Sequence, residues 1–188
     1  LGAVDVALWD IFGKALGRPV HELMGGSLRS SHQIDSEAKR EVVPYCTIVS
    51  NSWDRNSVLK EQVERVLKLR ELGYRAFKVE PLNQTTETII DLTRMTREAV
   101  GPDVILSVDV GYLWNDVGEA LKVINRLAEY DIFFFETPFP VDSIDAYARL
   151  TAQTEVRIAI GEHSVSRWEF LQMMDQGGVL VMQPYMTT

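Results

Sequence analysis

Six short apolar runs alternate with five longer amphipathic segments along most of this chain, and no other feature restricts its fold as strongly. Each run is apolar throughout instead of alternating in polarity, which is typical of strands that are covered on both faces. The first residues of successive runs lie about 22 to 34 positions apart. The runs are Val42–Val49, Ala76–Val79, Val104–Val108, Ile132–Phe135, Arg157–Ile160 and Val179–Met182.

The segments between the runs have the apolar spacing of helices. The first of them is followed by Gly73, the kind of residue that commonly ends a helix. Strands that alternate with helices through short connections predict an α/β domain with a parallel sheet. The helices are predicted at Asp54–Leu72, Thr85–Val100, Asn115–Tyr130, Asp142–Ala152 and Val165–Gln176.

The length of the repeat favours a partial (β/α)8 TIM-like barrel with about six of its eight strands present. A doubly wound open sheet is the alternative, but no Gly-x-Gly-x-x-Gly turn follows the first run to support it. In a barrel, strands seven and eight would lie beyond Thr188. We therefore expect the chain to be a fragment whose open sheet edges make it poorly stable by itself.

The first part of the chain differs from the rest. Residues Leu1–Leu16 have the apolar spacing of a helix, which the glycines and proline that follow would end. Residues Ser27–Glu41 are polar and mixed in charge, as in a linker. The sequence thus predicts a helix and linker over residues 1–41 and the partial barrel over residues 42–188.

Charge and composition exclude several classes of protein. With 19 basic and 27 acidic residues the net charge is −8, which argues against nucleic-acid binding. No apolar run approaches the roughly 20 residues of a membrane span, so we expect no membrane partner. Cys46 is the single cysteine, which rules out an internal disulfide or a cysteine-rich zinc site and fits a reducing, cytoplasmic location.

Charged residues close four successive apolar runs. Lys78 and Glu80 end the second run, Asp109 the third, Glu136 the fourth and Glu162 the fifth. Because the carboxyl ends of the strands form the active-site face of parallel α/β barrels, we expect these five side chains to converge there.

The carboxylates Asp109, Glu136 and Glu162 recur at intervals of 27 and 26 residues, which predicts equivalent places on consecutive strands. Two carboxylates about 4 Å apart repel by roughly 4 kcal/mol at an effective dielectric constant near 20, so a cation must lie among them or their pKa values must rise. Oxygen ligands favour Mg²⁺, with Mn²⁺ as the other option. The alternative is that each acid merely caps the following helix, and three acids in phase make it the weaker explanation.

Three aromatic residues near these strand ends have ordinary explanations. His163 directly follows a proposed ligand, so we expect it to contact that ligand without binding the metal itself, or to lie in the core. Trp114 and Trp168 are expected to pack against the protein interior, with contact to the substrate as the weaker alternative.

Two groups of segments form a recognisable combination. One group lies near the start of the chain, at Ala3–Asp10, Gly13–Lys14 and Pro19–Gly26, and the other lies at the later strand ends, at Asp109, Glu136–Pro138 and Gly161–Glu162. This combination resembles the mandelate racemase and muconate lactonizing enzyme family of the enolase superfamily, with the first group similar to the family's signature helix and the second to its metal-ligand strands. The resemblance implies an α+β lid domain, of which Leu1–Leu16 would be the last helix, a modified barrel, one Mg²⁺ and abstraction of the proton α to a carboxylate.

The resemblance also implies roles for single residues. Asp109, Glu136 and Glu162 would be the metal ligands, and Lys78 would match the first lysine of a Lys-x-Lys motif that contacts the substrate carboxylate. The chain departs from the family pattern where Glu80 replaces the second lysine, a common base.

A second departure lies where the family often has Gln-Pro-Asp, since this chain has Gln183-Pro184-Tyr185. Neither familiar base is complete. Glu80 would be the base if burial raised its pKa, and Tyr185 would be an acid or a hydrogen-bond donor to a leaving hydroxyl.

The resulting prediction is a Mg²⁺-dependent acid-sugar dehydratase, a carbon–oxygen lyase that acts on a small carboxylate substrate. A racemase, epimerase or cycloisomerase of the same family is the first alternative, and a noncatalytic metal-binding relative is the second. We further expect a homo-oligomer at full length.

Overall fold

The structure is a computed structural model that describes residues 2–25 and 43–185. These residues divide into two compact units, one containing residues 2–25, Val43 and Tyr185, the other containing residues 44–184. The predicted linker Ser27–Glu41 and the predicted boundary between residues 41 and 42 lie outside the described residues. In the described part of the chain, every helix is too short or too polar to cross a membrane.

The first unit contains helix α1 (Gly2–Leu16) and the short helix α2 (Val20–Leu23). Helix α1 confirms the prediction from its apolar spacing. The chain turns sharply after it, and Gly13 allows this turn because a Cβ atom there would lie 2.9 Å from the Arg18 carbonyl oxygen. The apolar side chains of α1 are exposed, namely Val4, Leu8, Ile11, Phe12 and Leu16.

The second unit is one parallel sheet of six strands, and helices connect them. Each strand after β1 is hydrogen-bonded to the strand that precedes it in the chain, in the order β1-β2-β3-β4-β5-β6. This sequential order is that of a (β/α) barrel, whereas a doubly wound sheet reverses its order. The strands are β1 (Cys46–Val49), β2 (Ala76–Glu80), β3 (Ile105–Asp109), β4 (Ile132–Glu136), β5 (Ile158–Ile160) and β6 (Val181–Met182).

The helices follow the predicted segments. They are α3 (Arg55–Glu71), α4 (Thr86–Val100), α5 (Val117–Leu127) with a 3-10 turn at Ala128–Tyr130, α6 (Ile144–Thr151) and α7 (Arg167–Asp175). The predicted partial barrel is therefore confirmed, with small differences at the ends of elements. Strand β1 begins at Cys46, although the first apolar run begins at Val42, a residue outside the described range.

Helix caps come from residues in the loops, not from the acids that end the strands. The side chains of Asp54, Thr85, Asp116 and Ser166 each accept a hydrogen bond from a backbone N–H in the first turn of α3, α4, α5 and α7. Ser143 precedes α6. The alternative that strand-end acids serve as caps is therefore wrong, and those acids are left available for chemistry.

The core lies between the sheet and its helices and is made of large apolar side chains. Tyr147 of α6 is completely buried there, and its hydroxyl donates a hydrogen bond to the carbonyl oxygen of Phe139. The strands supply Ile48, Phe77, Val79, Leu106, Val108, Phe135 and Ile160, and the helices supply Ile89, Leu92, Ile124, Leu127 and Leu150. This core holds the carboxyl ends of the strands in place.

Candidate active site

A buried lysine lies among three carboxylates at the carboxyl ends of β2, β3 and β4. The Lys78 Nζ atom is 2.9 Å from Glu136 Oε2, 3.1 Å from Asp109 Oδ2 and 3.3 Å from Glu80 Oε1. All four side chains are largely shielded from solvent. The predicted convergence of Lys78, Glu80, Asp109 and Glu136 is thus observed.

The register of the sheet explains why these groups meet. Asp109 pairs with Glu136 across β3 and β4, and Lys78 pairs with Ser107 one row below. Side chains two residues apart on a strand share a face, so Lys78 lies on the same face as Glu80 at the strand end. The Lys78 side chain therefore extends towards the carboxyl ends of the strands, where the three acids lie.

The electrostatics of this group keep the lysine charged. Burial alone would lower the pKa of Lys78, but attraction by Asp109, Glu136 and Glu80 outweighs burial and raises that pKa above its usual value. Burial and repulsion by Asp109 raise the pKa of Glu136 to about 7, against hydrogen bonds from Gln183 and Lys78. Burial also raises the pKa of Glu80, and the Lys78 ammonium opposes that shift.

Two side chains that sequence reasoning left without a role hold the acids in position. The Thr137 hydroxyl donates to Asp109 Oδ1 at 2.7 Å, and the Gln183 amide donates to Glu136 Oε2 at 2.8 Å. Both belong to motifs quoted for the family resemblance, which gave the only available signal. Each acid therefore keeps one carboxylate oxygen in a fixed direction.

The backbone beside these acids has an uncommon conformation. Thr137 has φ 48° and Tyr112 has φ 63°, both in the left-handed region that β-branched and bulky residues rarely enter. The Thr137 carbonyl accepts a hydrogen bond from the Tyr112 N–H at 2.6 Å, and the Thr137 N–H donates to Ala159. Such conformations cost about 1–3 kcal/mol and occur where the surrounding structure enforces them, often at functional sites.

Glu162 lies apart from the other acids. Glu136 pairs with Ala159, so Glu162 comes three residues later, in the loop after β5. Its Oε1 atom accepts a hydrogen bond of 2.9 Å from the Tyr112 hydroxyl, and 42% of its side chain is exposed. The expectation of equivalent places on three strands holds for Asp109 and Glu136 but is wrong for Glu162.

The spacing of three acids therefore does not translate into one compact cluster. Within residues 2–25 and 43–185, no three His, Cys, Asp or Glu side chains are grouped so that they could hold a metal ion. The assignment of Asp109, Glu136 and Glu162 as a joint ligand set stays a prediction. Tyr112, which contacts Glu162, had no signal in the sequence.

The donor chemistry of the adjacent acids still fits Mg²⁺. Asp109 and Glu136 present carboxylate oxygens from neighbouring strand ends, and Glu80 adds a third carboxylate around one ammonium group. One positive charge against three acids leaves an excess of negative charge when the acids are ionised. Oxygen donors with an excess of negative charge are the ligands that Mg²⁺ prefers.

His163 and Tyr185, the two remaining predicted site residues, are both exposed. His163 is exposed and its Nε2 atom is 3.6 Å from Glu162 Oε1, so it is not a core residue but does lie beside a proposed ligand. Tyr185 is 60% exposed and belongs to the unit with residues 2–25, so its predicted role stays open to test.

The two tryptophans differ from each other. Trp114 is buried and stacks on Phe135 with ring centroids 5.9 Å apart, as expected. Trp168 is 64% exposed, so the prediction that it packs in the interior is wrong. It is the second residue of α7, and the guanidinium of Arg167 lies over its ring.

Comparison with known proteins places the chain in a family. Residues 59–188 match the family described as enolase C-terminal domain-like, and residues 1–25 match the N-terminal domain of the mandelate racemase / muconate lactonizing enzyme family.

Two curated relatives are sugar-acid dehydratases. The chain is 34% identical to arabinonate dehydratase of Saccharolobus solfataricus, over 97% of this chain and 45% of that protein. It is 33% identical to D-galactonate dehydratase of Pectobacterium atrosepticum, over 98% of this chain and 46% of that protein. The chain thus spans about half the length of the curated relatives it matches.

A solved structure agrees with this placement. The 3,6-anhydro-D-galactonate cycloisomerase from Zobellia galactanivorans superposes with a TM-score of 0.82 at 29% identity, over 100% of this chain and 48% of that one. Together with the sequential parallel sheet and the acids at its strand ends, these matches establish that the chain belongs to the mandelate racemase and muconate lactonizing enzyme family of the enolase superfamily.

Proposed function

We propose that the protein containing this chain is a Mg²⁺-dependent dehydratase that removes the proton α to the carboxylate of an acid sugar and then releases water. The observation that carries the proposal is the buried Lys78 among Glu80, Asp109 and Glu136 at the strand ends. The two curated relatives named as sugar-acid dehydratases support the choice of substrate class.

Lys78 would bind the substrate carboxylate. Its raised pKa keeps the group as an ammonium, so it can donate hydrogen bonds to an anion throughout the neutral pH range. Positive charge held beside the reacting carbon stabilises the negative charge that develops as the proton leaves, an effect worth several kcal/mol in a site shielded from water.

Asp109 and Glu136, with Glu162 joining them, would hold the metal ion. When bound, Mg²⁺ would supply Lewis-acid stabilisation of negative charge on the substrate carboxylate. Thr137 and Gln183 would keep the first two carboxylates directed towards it, because each already donates a hydrogen bond to one of their oxygens.

Glu80 is the proposed base. Of the three acids around Lys78 it has the longest contact, 3.3 Å, and the most exposed side chain, 14%. A substrate carboxylate that engages Lys78 would most easily displace Glu80. Glu80 would then take the α-proton on a carboxylate oxygen, and burial favours this step because it raises the pKa of that group. Tyr185 stays the proposed proton donor to the leaving hydroxyl.

A cycloisomerase is the second candidate. The cycloisomerase structure from Zobellia galactanivorans favours it, since that protein shares the fold at 29% identity. Both reactions would begin with loss of the α-proton. The dehydratase would then release water, whereas the cycloisomerase would form or break a bond of a ring. The proposal also includes a cytoplasmic location, supported by the free thiol of Cys46, and assembly into a homo-oligomer.

Proton NMR in D₂O tests the proposal directly. The protein at its full encoded length is incubated with Mg²⁺ and a pool of acid sugars, and the α-proton signals and new keto-acid signals are followed. Loss of α-proton signal with a 2-keto-3-deoxy acid product supports a dehydratase, whereas loss of signal with a cyclised product supports the second candidate. No exchange with any acid sugar contradicts both.

A pair of variants tests the base. Glu80→Gln should reduce α-proton exchange by at least 100-fold, because the amide cannot accept the proton. Glu129→Gln, at an exposed position in the 3-10 turn, is the matched control and should exchange at the rate of the unchanged protein. Equal rates in the two variants would remove Glu80 from the mechanism.

A further inference from the structure

A cleft of about 270 Å³ opens between the loop after β1 and the loop after β2. It lies next to the acids described above, because Glu80 belongs to both: it lines the cleft and its Oε1 atom is 3.3 Å from Lys78 Nζ. The residues that matter for its chemistry are Ser50, Asn51, Trp53, Gln62, Glu80 and Asn83.

The inner wall of the cleft is fixed by a buried side chain. Gln62 of α3 is 1% exposed, and its amide accepts from the Glu80 N–H at 3.1 Å and donates to the Glu80 carbonyl at 2.9 Å. Gln62 therefore holds the backbone of Glu80, the proposed base, through one donated and one accepted hydrogen bond.

The rim of the cleft carries side chains that are available to bind a ligand. Ser50 is engaged within the chain, because its hydroxyl donates to Glu61 and accepts from the Ser52 N–H. In contrast, the exposed amides of Asn51 and Asn83 form no side-chain hydrogen bond with any described residue. Trp53 is 74% exposed, which presents a large apolar ring at the mouth.

We propose that this cleft binds the hydroxylated tail of an acid-sugar substrate, the end remote from its carboxylate; this inference rests on the proposed function. Carboxamides both donate and accept hydrogen bonds, as hydroxyl groups do, so Asn51 and Asn83 match such a tail. The indole of Trp53 suits the C–H face of the carbon chain. With a volume of about 270 Å³, the cleft has room for a tail of several carbons.

The charge of the cleft narrows the substrate class further. Among the described residues that line it there is no Lys, Arg or His, and Glu80 contributes a carboxylate. A second carboxylate or a phosphate at the far end of the substrate would find no positive partner and would be repelled by Glu80. The cleft therefore selects sugar monoacids (aldonates) over sugar diacids (aldarates) and phosphorylated acids.

Substrate length provides the test. At full encoded length and with Mg²⁺, kcat/KM is measured for aldonates of three to six carbons and for the six-carbon aldarate. Trp53→Ala and Asn51→Ala should each lower kcat/KM at least tenfold for five- and six-carbon aldonates and less than twofold for the three-carbon acid. Asn125→Ala, at an exposed position on α5, is the matched control and should change none of these values.

A charge-introducing variant tests selectivity in the opposite direction. Asn51→Lys should raise the ratio of kcat/KM for aldarate over aldonate at least tenfold, because it supplies the missing positive charge. Equal losses for all chain lengths, or an unchanged ratio in Asn51→Lys, would overturn the inference while leaving the proposed dehydratase intact.

Binding measured without turnover separates the two proposals. Saturation-transfer NMR of a six-carbon aldonate should show contact at its tail protons in the unchanged protein, and Trp53→Ala should lose that contact. If no acid sugar exchanges its α-proton but this difference is seen, the proposed function fails and the cleft assignment stands. If tail contact is equal in both proteins, or absent from both, the cleft assignment fails.

Discussion

Removing the positive charge at Lys78 should destabilise the protein in a way that depends on pH. In Lys78→Met the stem keeps its volume, but Glu80, Asp109 and Glu136 lose the ammonium that lies 2.9–3.3 Å from them. Breaking a buried ion pair by removing one partner costs about 3–5 kcal/mol, because an uncompensated charge is left in a shielded place. We expect a loss in that range in the free energy of unfolding at pH 7, without added Mg²⁺.

The pH dependence has a definite sign. Without the ammonium that opposes the shift, the pKa values of Glu80 and Glu136 rise further above their unfolded values, so the folded variant binds more protons than the unfolded chain. Stability then increases as the pH falls from 7 towards 5. The variant should therefore recover part of its loss at pH 5, relative to the unchanged protein at the same pH.

Urea denaturation at pH 5 and pH 7 measures both quantities. Lys122→Met is the control, since Lys122 is exposed on α5 and its contact with Glu119 lies in solvent. The control should lose less than about 1 kcal/mol at either pH. A loss below about 1 kcal/mol in Lys78→Met, or a loss that is equal at the two pH values, would refute the interpretation of Lys78 as the internal counter-ion of this site.

Substitutions at three further positions test other parts of the structure. Thr137→Val removes the hydroxyl that donates to Asp109, so its free energy of unfolding, measured by thermal denaturation, should fall by about 1–2 kcal/mol. Thr137→Ser keeps a hydroxyl and should have the stability of the unchanged protein. Above pH 10 the unfolded chain ionises Tyr147 while burial raises its pKa in the folded state, so stability should fall as pH rises, and Tyr147→Phe should reduce that slope. Gly161→Ala, at φ 131° with its new Cβ 2.6 Å from the Phe170 ring, should lose at least about 1 kcal/mol in urea denaturation. A Thr137→Ser as unstable as Thr137→Val, an unchanged alkaline slope or a neutral Gly161→Ala would contradict the respective argument.

The sequence was sufficient to predict the strand ends that meet in register. Lys78, Asp109 and Glu136 close apolar runs of neighbouring strands, and parallel pairing brings them together as expected. Glu162 shows where spacing alone fails. An interval of 26 residues between Glu136 and Glu162 is also compatible with a strand that ends before the second acid. Strand β5 ends at Ile160, so Glu162 lies in the following loop.

Other features depended on information that periodicity does not contain. Thr137 and Tyr112 lie in the separate loops after β4 and β3, where a backbone hydrogen bond links them, and neither residue type prefers the left-handed conformation that both adopt. Exposure is equally hard to infer for single residues on helices, as Trp168 shows, because a lone apolar residue at the start of a helix fits either face. Capping by the strand-end acids was the weaker alternative for three acids in phase, and the structure excludes it because loop residues cap the helices instead.

The sequential order of the sheet has a consequence for how the chain is made. Every strand after β1 pairs with the strand synthesised immediately before it, so each new strand and helix can dock on an edge that already exists. At roughly 5–20 residues per second, a ribosome adds one such unit of about 25 residues every few seconds, far longer than a helix or a strand pair needs to form. The barrel unit can therefore assemble from its first strand onwards during translation, and the acids of β3 and β4 would meet a lysine that is already in place.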